Sequence, residues 1–179
     1  NTYWFGHELP YACTIGNCQF ITTDLLYPEY IPVAHVDMKN ISGVMFYGCT
    51  FTNESTALNP INIRGIGISS IDSYFMLNKY CNTNTIPCTN WSKCEFTGLD
   101  YGIKALNSKT KRTLEIKEVI FTSNYIGVSL SGIDNAAILS SSFINKKMLA
   151  DEIGDRFIGG LFIEGCTGYH IEANNFSPT

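Results

Sequence analysis

The sequence predicts an all-β chain folded as a right-handed parallel β-helix, a solenoid of about six coils, and three observations predict it. A six-residue pattern, apolar-x-x-small-x-Phe, recurs along most of the chain. Short period-2 segments that turn on glycine stand ahead of each copy. The intervals between the Phe positions are unequal, with a minimum of 22 residues from Phe121 to Phe143, a natural length for one coil.

The pattern reads Ile15-x-x-Cys18-x-Phe20, Phe46-x-x-Cys49-x-Phe51, Ile116-x-x-Val119-x-Phe121, Ile138-x-x-Ser141-x-Phe143 and Ile171-x-x-Asn174-x-Phe176. A sixth copy, Trp91-x-x-Cys94-x-Phe96, fits the template, with Met76 as a rival for its first position. Upstream, Gly127-Val-Ser-Leu-Ser-Gly-Ile-Asp134 precedes Ile138 much as Gly160-Leu-Phe-Ile-Glu-Gly-Cys-Thr167 precedes Ile171. Val36 and Ile66 are expected to open equivalent strands ahead of Phe46 and Met76, and Tyr101-Gly-Ile-Lys-Ala105 supplies another. A coil cannot bury its apolar face alone, so stacking provides the core while turns stay free to expand. The expansions fall near 21–33, 52–64, 78–92 and 144–158, and residues 1–179 read as one segment. A β-sandwich is the alternative, but it gives no reason for one hexad to repeat in register.

Composition narrows the partners. A net charge of −4, a pI near 5.3 and no basic run beyond Lys109, Lys111 and Arg112 or Lys146 and Lys147 argue against nucleic acid. No stretch reaches the roughly 20 apolar residues of a membrane helix. The chain starts at Asn1 without a signal segment and stops at Thr179 just after a strand motif, so it is expected to be a piece of something longer.

The seven cysteines sort by position. Cys18, Cys49 and Cys94 share the small inward position, where buried thiols act as small hydrophobes. Cys81 and Cys88 bracket a polar excursion and form the candidate disulfide, which would place the chain outside the cell. Cys13 with Cys18 is a weaker pairing. Cys166, aligned with Ile133 and Ile71, reads as a core thiol. His7, His35 and His170 are scattered and the sulfurs come from separate coils, so no metal and no cofactor is expected. Four Asn-x-Ser/Thr sequons begin at Asn40, Asn53, Asn90 and Asn175, a number that composition alone explains.

The hexad is similar to the apolar-x-x-Asn-x-Phe signature of parallel β-helix repeat proteins, although only Asn174 keeps the Asn. Phe96-Thr-Gly-Leu-Asp-Tyr-Gly-Ile-Lys-Ala105 and Gly165-Cys-Thr-Gly-Tyr169 resemble β-helical segments of large secreted Bacteroidetes proteins exported by type IX secretion. The resemblance implies a structural or adhesive segment at the cell surface or outside the cell, stacked on further coils of a parent chain.

Two other functions stay open. A fragment of a polysaccharide lyase or glycoside hydrolase needs two acids converging on one groove. Asp72 and Asp134 are instead explained as equivalent turn residues, and the densest group, Asp151, Glu152 and Asp155 with Arg156, reads as a solvated loop, so no catalytic residue is assigned. A carbohydrate-binding module would use a notch where short connections lie between long ones. Its floor, Thr97–Tyr101 and Thr122–Ile126, would present Asp100, Tyr101, Asn124 and Tyr125 to a polysaccharide or surface glycan, with walls at 52–64 and 144–158.

Overall fold

The computed structural model describes residues 3–4, 7–8, 13–23, 33–55, 64–83, 86–108, 113–145 and 159–178, and among them there is no α-helix. Most of the expected loops near 21–33, 52–64 and 144–158 lie outside the described residues, as do the acidic group at 151–155 and Arg156.

Three parallel sheets hold nearly all the strands. Sheet I contains Cys13–Gly16, Ser42–Tyr47, Tyr74–Asn78, Leu114–Lys117, Ala136–Leu139 and His170–Glu172, in that order across the sheet. Sheet II contains Gln19–Thr22, Thr50–Asn53, Glu95–Thr97, Ile120–Thr122, Ser142–Asn145 and Asn175–Pro178. Sheet III contains Ala34–Lys39, Ile66–Ile71, Tyr101–Leu106, Ile126–Ser131 and Gly159–Glu164. The chain visits I, II and III in rotation, so each strand pairs in parallel with the one reached a circuit later. This all-β, parallel stacking is compatible with a solenoid and removes the sandwich alternative, whose sheets are antiparallel.

The hexad sets the register. Its apolar position forms the column Ile15, Phe46, Leu77, Ile116, Ile138 and Ile171 in sheet I. Its Phe forms the column Phe20, Phe51, Phe96, Phe121, Phe143 and Phe176 in sheet II. Neither Trp91 nor Met76 fills the first position of the third copy; Leu77 does. The chain departs after Leu77 and rejoins at Cys94, so the hexad is split by an insertion and the contiguous Trp91 spacing is a coincidence. Val36 likewise stands opposite Ile68, two residues from Ile66.

Successive Phe rings stack with centroids 4.5 to 5.1 Å apart and interplanar angles of 2° to 14°. Strand spacing of about 4.7–4.9 Å imposes that separation. The rings fit because sheet III offers glycine beside them. A Cβ at Gly102 would stand 2.7 Å from Phe121 Cδ1, one at Gly127 would stand 2.7 Å from Phe143 Cδ1, and one at Gly160 would stand 2.8 Å from Phe176 Cδ1. Phe96, Phe121, Phe143 and Phe176 therefore each nest over the glycine of the circuit before, while Phe51 meets His35 there. With Ile68, Ile103, Val128 and Leu130 from sheet III, these columns close a single core.

Corners between sheets break the ladder and orphan a backbone amide, which needs an acceptor. Side chains of the following circuit supply it: Cys49 N donates to Cys94 Sγ at 3.4 Å, Val119 N to Ser141 Oγ at 3.2 Å and Ser141 N to Asn174 Oδ1 at 2.8 Å. Further corners repeat the device, with Leu99 N donating to Asn124 Oδ1 at 2.9 Å, Ile133 N to Cys166 Sγ at 3.3 Å and Ile41 N to Ser73 Oγ at 3.1 Å, whereas Ser108 N turns back to Asp72 Oδ1 of the preceding circuit at 2.6 Å. Cysteine thus stands in for asparagine as an acceptor, which a purely hydrophobic role does not capture. Cys49 and Cys94 are buried, whereas Cys18, on the outermost described strand set, is exposed. The neighbouring Cys49 sulfur and then burial raise the Cys94 thiol above its ordinary range, so it stays protonated.

One cysteine pairing and two position equivalences change. Cys13 and Cys18 are both free, because Cys18 Sγ turns to Gly16 O at 3.3 Å. Cys166 is half-buried and matches Ile133, while Ile71 pairs with Leu106 in the strand that leads to the turn. Asp72 N donates to Leu106 O and Gly132 N to Glu164 O, so Asp72 corresponds to Gly132 and not to Asp134, which bridges to Thr167.

Candidate functional site

The four notch residues are occupied by the protein itself. Asn124 is 4% exposed, and its Nδ2 donates to Phe96 O at 2.9 Å while its Oδ1 serves Leu99 N, so it is a corner residue. Tyr125 is 5% exposed, with the Arg64 guanidinium 5.4 Å from its ring centroid. Asp100 Oδ2 accepts from Arg64 N at 2.9 Å. Tyr101 is half-buried with Lys104 Nζ 5.0 Å from its ring. Asn124 and Tyr125 are therefore buried rather than presented, Asn124 because the short connection must satisfy its own backbone and Tyr125 beneath the Arg64 guanidinium. Of the expected walls at 52–64 and 144–158, residues 56–63 and 146–158 lie outside the described residues.

A different concavity is built by the insertion in the third circuit. Tyr80–Cys81 pairs antiparallel with Trp91–Ser92, and Cys81 and Cys88 are joined by a disulfide seven residues apart in sequence. Asn82 ties the hairpin together, its N donating to Asn90 O at 2.9 Å and its Nδ2 to Ser92 Oγ at 2.9 Å. The hairpin seats on the corner at Gly48, where a Cβ would lie 2.7 Å from Tyr80 Cβ and 3.2 Å from Ser92 Cβ. Gly48 also has φ +58°, so both space and backbone require glycine there.

This seating raises Trp91 beside the outer face of sheet II. Gln19, Thr50, Glu95 and Ile120 form one register column there, directly before the inward Phe column and so pointing the other way. Together with Asn17, Ser92 and Lys93 they enclose a cleft of about 420 Å³. Trp91 is 44% exposed yet held fast. Its Nε1 donates to Cys88 O at 3.2 Å, Lys79 Nζ sits 4.3 Å from its ring centroid, and Lys79 is paired with Glu118 at 2.8 Å. Within the lining, Lys93 and Glu95 carry opposite charges that balance, and the remaining polar groups are neutral amides and hydroxyls.

Sequence reasoning missed this cleft because Trp91 was spent on the hexad, which made it a core residue. Its signal was available: a tryptophan at the end of a Cys-bracketed polar excursion is an aromatic outside the core. Among the described residues, no group of three or more His, Cys, Asp and Glu side chains is arranged to hold a metal ion. No family model, curated protein or solved structure matches this chain.

Proposed function

We propose that this chain is a right-handed parallel β-helix segment of about six coils that serves as a structural and adhesive part of a large secreted or cell-surface protein. One observation carries the proposal. The Phe column is sealed inside the stack at Phe143, yet its last member, Phe176, is 52% exposed although it still stacks on Phe143 at 4.7 Å. Ile171 and Tyr169 are exposed beside it. His170–Glu172, Asn175–Pro178 and Gly159–Glu164 are the outermost described strands of their sheets, and among the described residues each pairs on one side only, which leaves backbone donors and acceptors for a further strand. An edge that presents an aromatic ring and in-register backbone together fits another coil of the same kind. The disulfide in the hairpin supports an oxidising location outside the cytosol.

The test is the association state of the 179-residue chain. Light scattering coupled to size exclusion is expected to show concentration-dependent end-to-end assembly, with Ile171→Lys plus Phe176→Lys returning it to monomer. A wild-type chain that stays monomeric at all accessible concentrations sinks the proposal.

A further inference from the structure

We propose that the Trp91 cleft binds a neutral oligosaccharide, with Trp91 as the stacking platform and the outer column of sheet II as the polar floor. This deepens the adhesive part of the function above, but it needs no further coils. Loss of sugar binding and loss of end-to-end assembly are therefore separate failures.

The first support is the rigidity of an exposed tryptophan. Leaving nearly half of an indole in water forgoes burial that the core could have provided. Here the ring is pinned by its own N–H bond, by the Lys79 ammonium and by a hairpin closed with a disulfide and seated on an obligatory glycine. Those restraints do not hide the ring; they fix where it stands. A preorganised aromatic face loses little freedom on stacking, which is what a weakly hydrophobic pyranose ring requires.

The second support is the chemistry of the floor. Gln19 and Thr50 occupy adjacent circuits of one column, about 4.8 Å apart, with Asn17 and Ser92 at the margins. Amides and hydroxyls both donate and accept, which matches the paired donor and acceptor character of sugar hydroxyls. The column repeats at strand spacing, so an extended chain lying across the strands meets the same backbone geometry at each step.

The third support is charge. Lys93 and Glu95 offset each other in the lining, and Lys79 is already committed to Glu118 and to the Trp91 face. An anionic polymer would find no uncompensated cation here, and a cationic one no uncompensated carboxylate. A neutral ligand satisfies the site without leaving a charge unpaired.

The chain has two tryptophans, so Trp4→Phe leaves Trp91 as the only indole reporter. In that background, neutral hexasaccharides of glucose, xylose and mannose are titrated while Trp91 emission is followed, and calorimetry confirms each affinity. At least one is expected to produce a saturable emission shift. In the wild-type background, calorimetry is expected to show Trp91→Ala weakening that affinity by about tenfold or more, as loss of an aromatic anchor does, and Trp91→Phe retaining most of it. Gln19→Ala is expected to weaken it a few-fold. Replacing both Cys81 and Cys88 with Ser is expected to reduce affinity by freeing the hairpin, with the urea midpoint of the stacked sheets unchanged for Trp91→Ala as the folding control. Three outcomes each overturn the proposal: no saturable shift with any neutral hexasaccharide at millimolar concentration, undiminished binding by folded Trp91→Ala, or a preference for polygalacturonate or chitosan over every neutral chain.

Discussion

Truncating the Phe column at different heights should measure how the stack shares its stability. Phe121 is 1% exposed and lies between Phe96 at 5.1 Å and Phe143 at 4.8 Å. Removing a fully buried Phe side chain costs about 3–5 kcal/mol. Phe176 has one ring neighbour and is 52% exposed, so roughly half of that loss, about 1.5–2.5 kcal/mol, is expected of Phe176→Ala. Phe20, half-buried with one stacked neighbour, should fall between them. The gap between Phe121→Ala and Phe176→Ala is then about 2 kcal/mol, a roughly 30-fold difference in the unfolding constant. Urea denaturation at constant m reads it directly, and an unchanged m is required for the comparison to hold. Equal costs at the two positions, or a larger cost at Phe176, would refute the claim that burial between neighbouring rings sets the contribution of each rung.

Gly102→Ala should destabilise by about 1–3 kcal/mol, because the new methyl would stand 2.6 Å from Gly127 O and 2.7 Å from the Phe121 ring. Lys104→Ala, on an exposed position of the same strand, should stay within about 0.5 kcal/mol in the same denaturation assay. His35 supplies a pH dependence: burial lowers its pKa from 6.5, and its Nε2 meets Thr22 Oγ1 at 2.8 Å. The unfolded chain takes up a proton near pH 6.5 and the folded chain does so only at lower pH, so stability is full above that value and falls as pH drops below it. Glu115 works the other way, since burial raises its carboxyl pKa and so disfavours the fold as pH rises. The difference between wild type and His35→Gln isolates the histidine, and parallel stability curves from pH 8 to 5 would exclude its role.

The stacking was legible in the sequence because it depends on a repeat. Phe20, Phe51, Phe121, Phe143 and Phe176 fall in one column as their spacing implies. The third circuit was harder, since Trp91 happens to complete a hexad that Leu77 begins, and only the pairing of Leu77 with Phe46 and Ile116 separates them. Two of the notch residues, Asn124 and Tyr125, are buried for a different reason. Short connections were visible, but a short connection must satisfy its own amides, and Asn124 is used up in doing so. The cleft escaped notice because it joins residues from four circuits, Gln19, Thr50, Glu95 and Ile120, to an insertion whose seat is a single glycine. No local pattern encodes where such an excursion comes to rest.

The corner bonds also give the stack a direction. In every pair described except that of Ser108 with Asp72, an amide of the earlier circuit is satisfied by a side chain of the later one, as Cys49 N is by Cys94 and Ser141 N by Asn174. The Phe rings from Phe96 onward obey the same order, each settling over the glycine laid down one circuit before. A circuit is thus incomplete until its successor arrives, while its predecessor is dispensable to those contacts. Shortening the stack from its carboxyl side would strip acceptors from whatever circuit is left outermost, whereas shortening it from the amino side would spare these corners, the exception being Ser108 N, which donates back to Asp72 Oδ1 of the earlier circuit at 2.6 Å. The fold is vectorial, a sequence of unfinished steps each closed by the next.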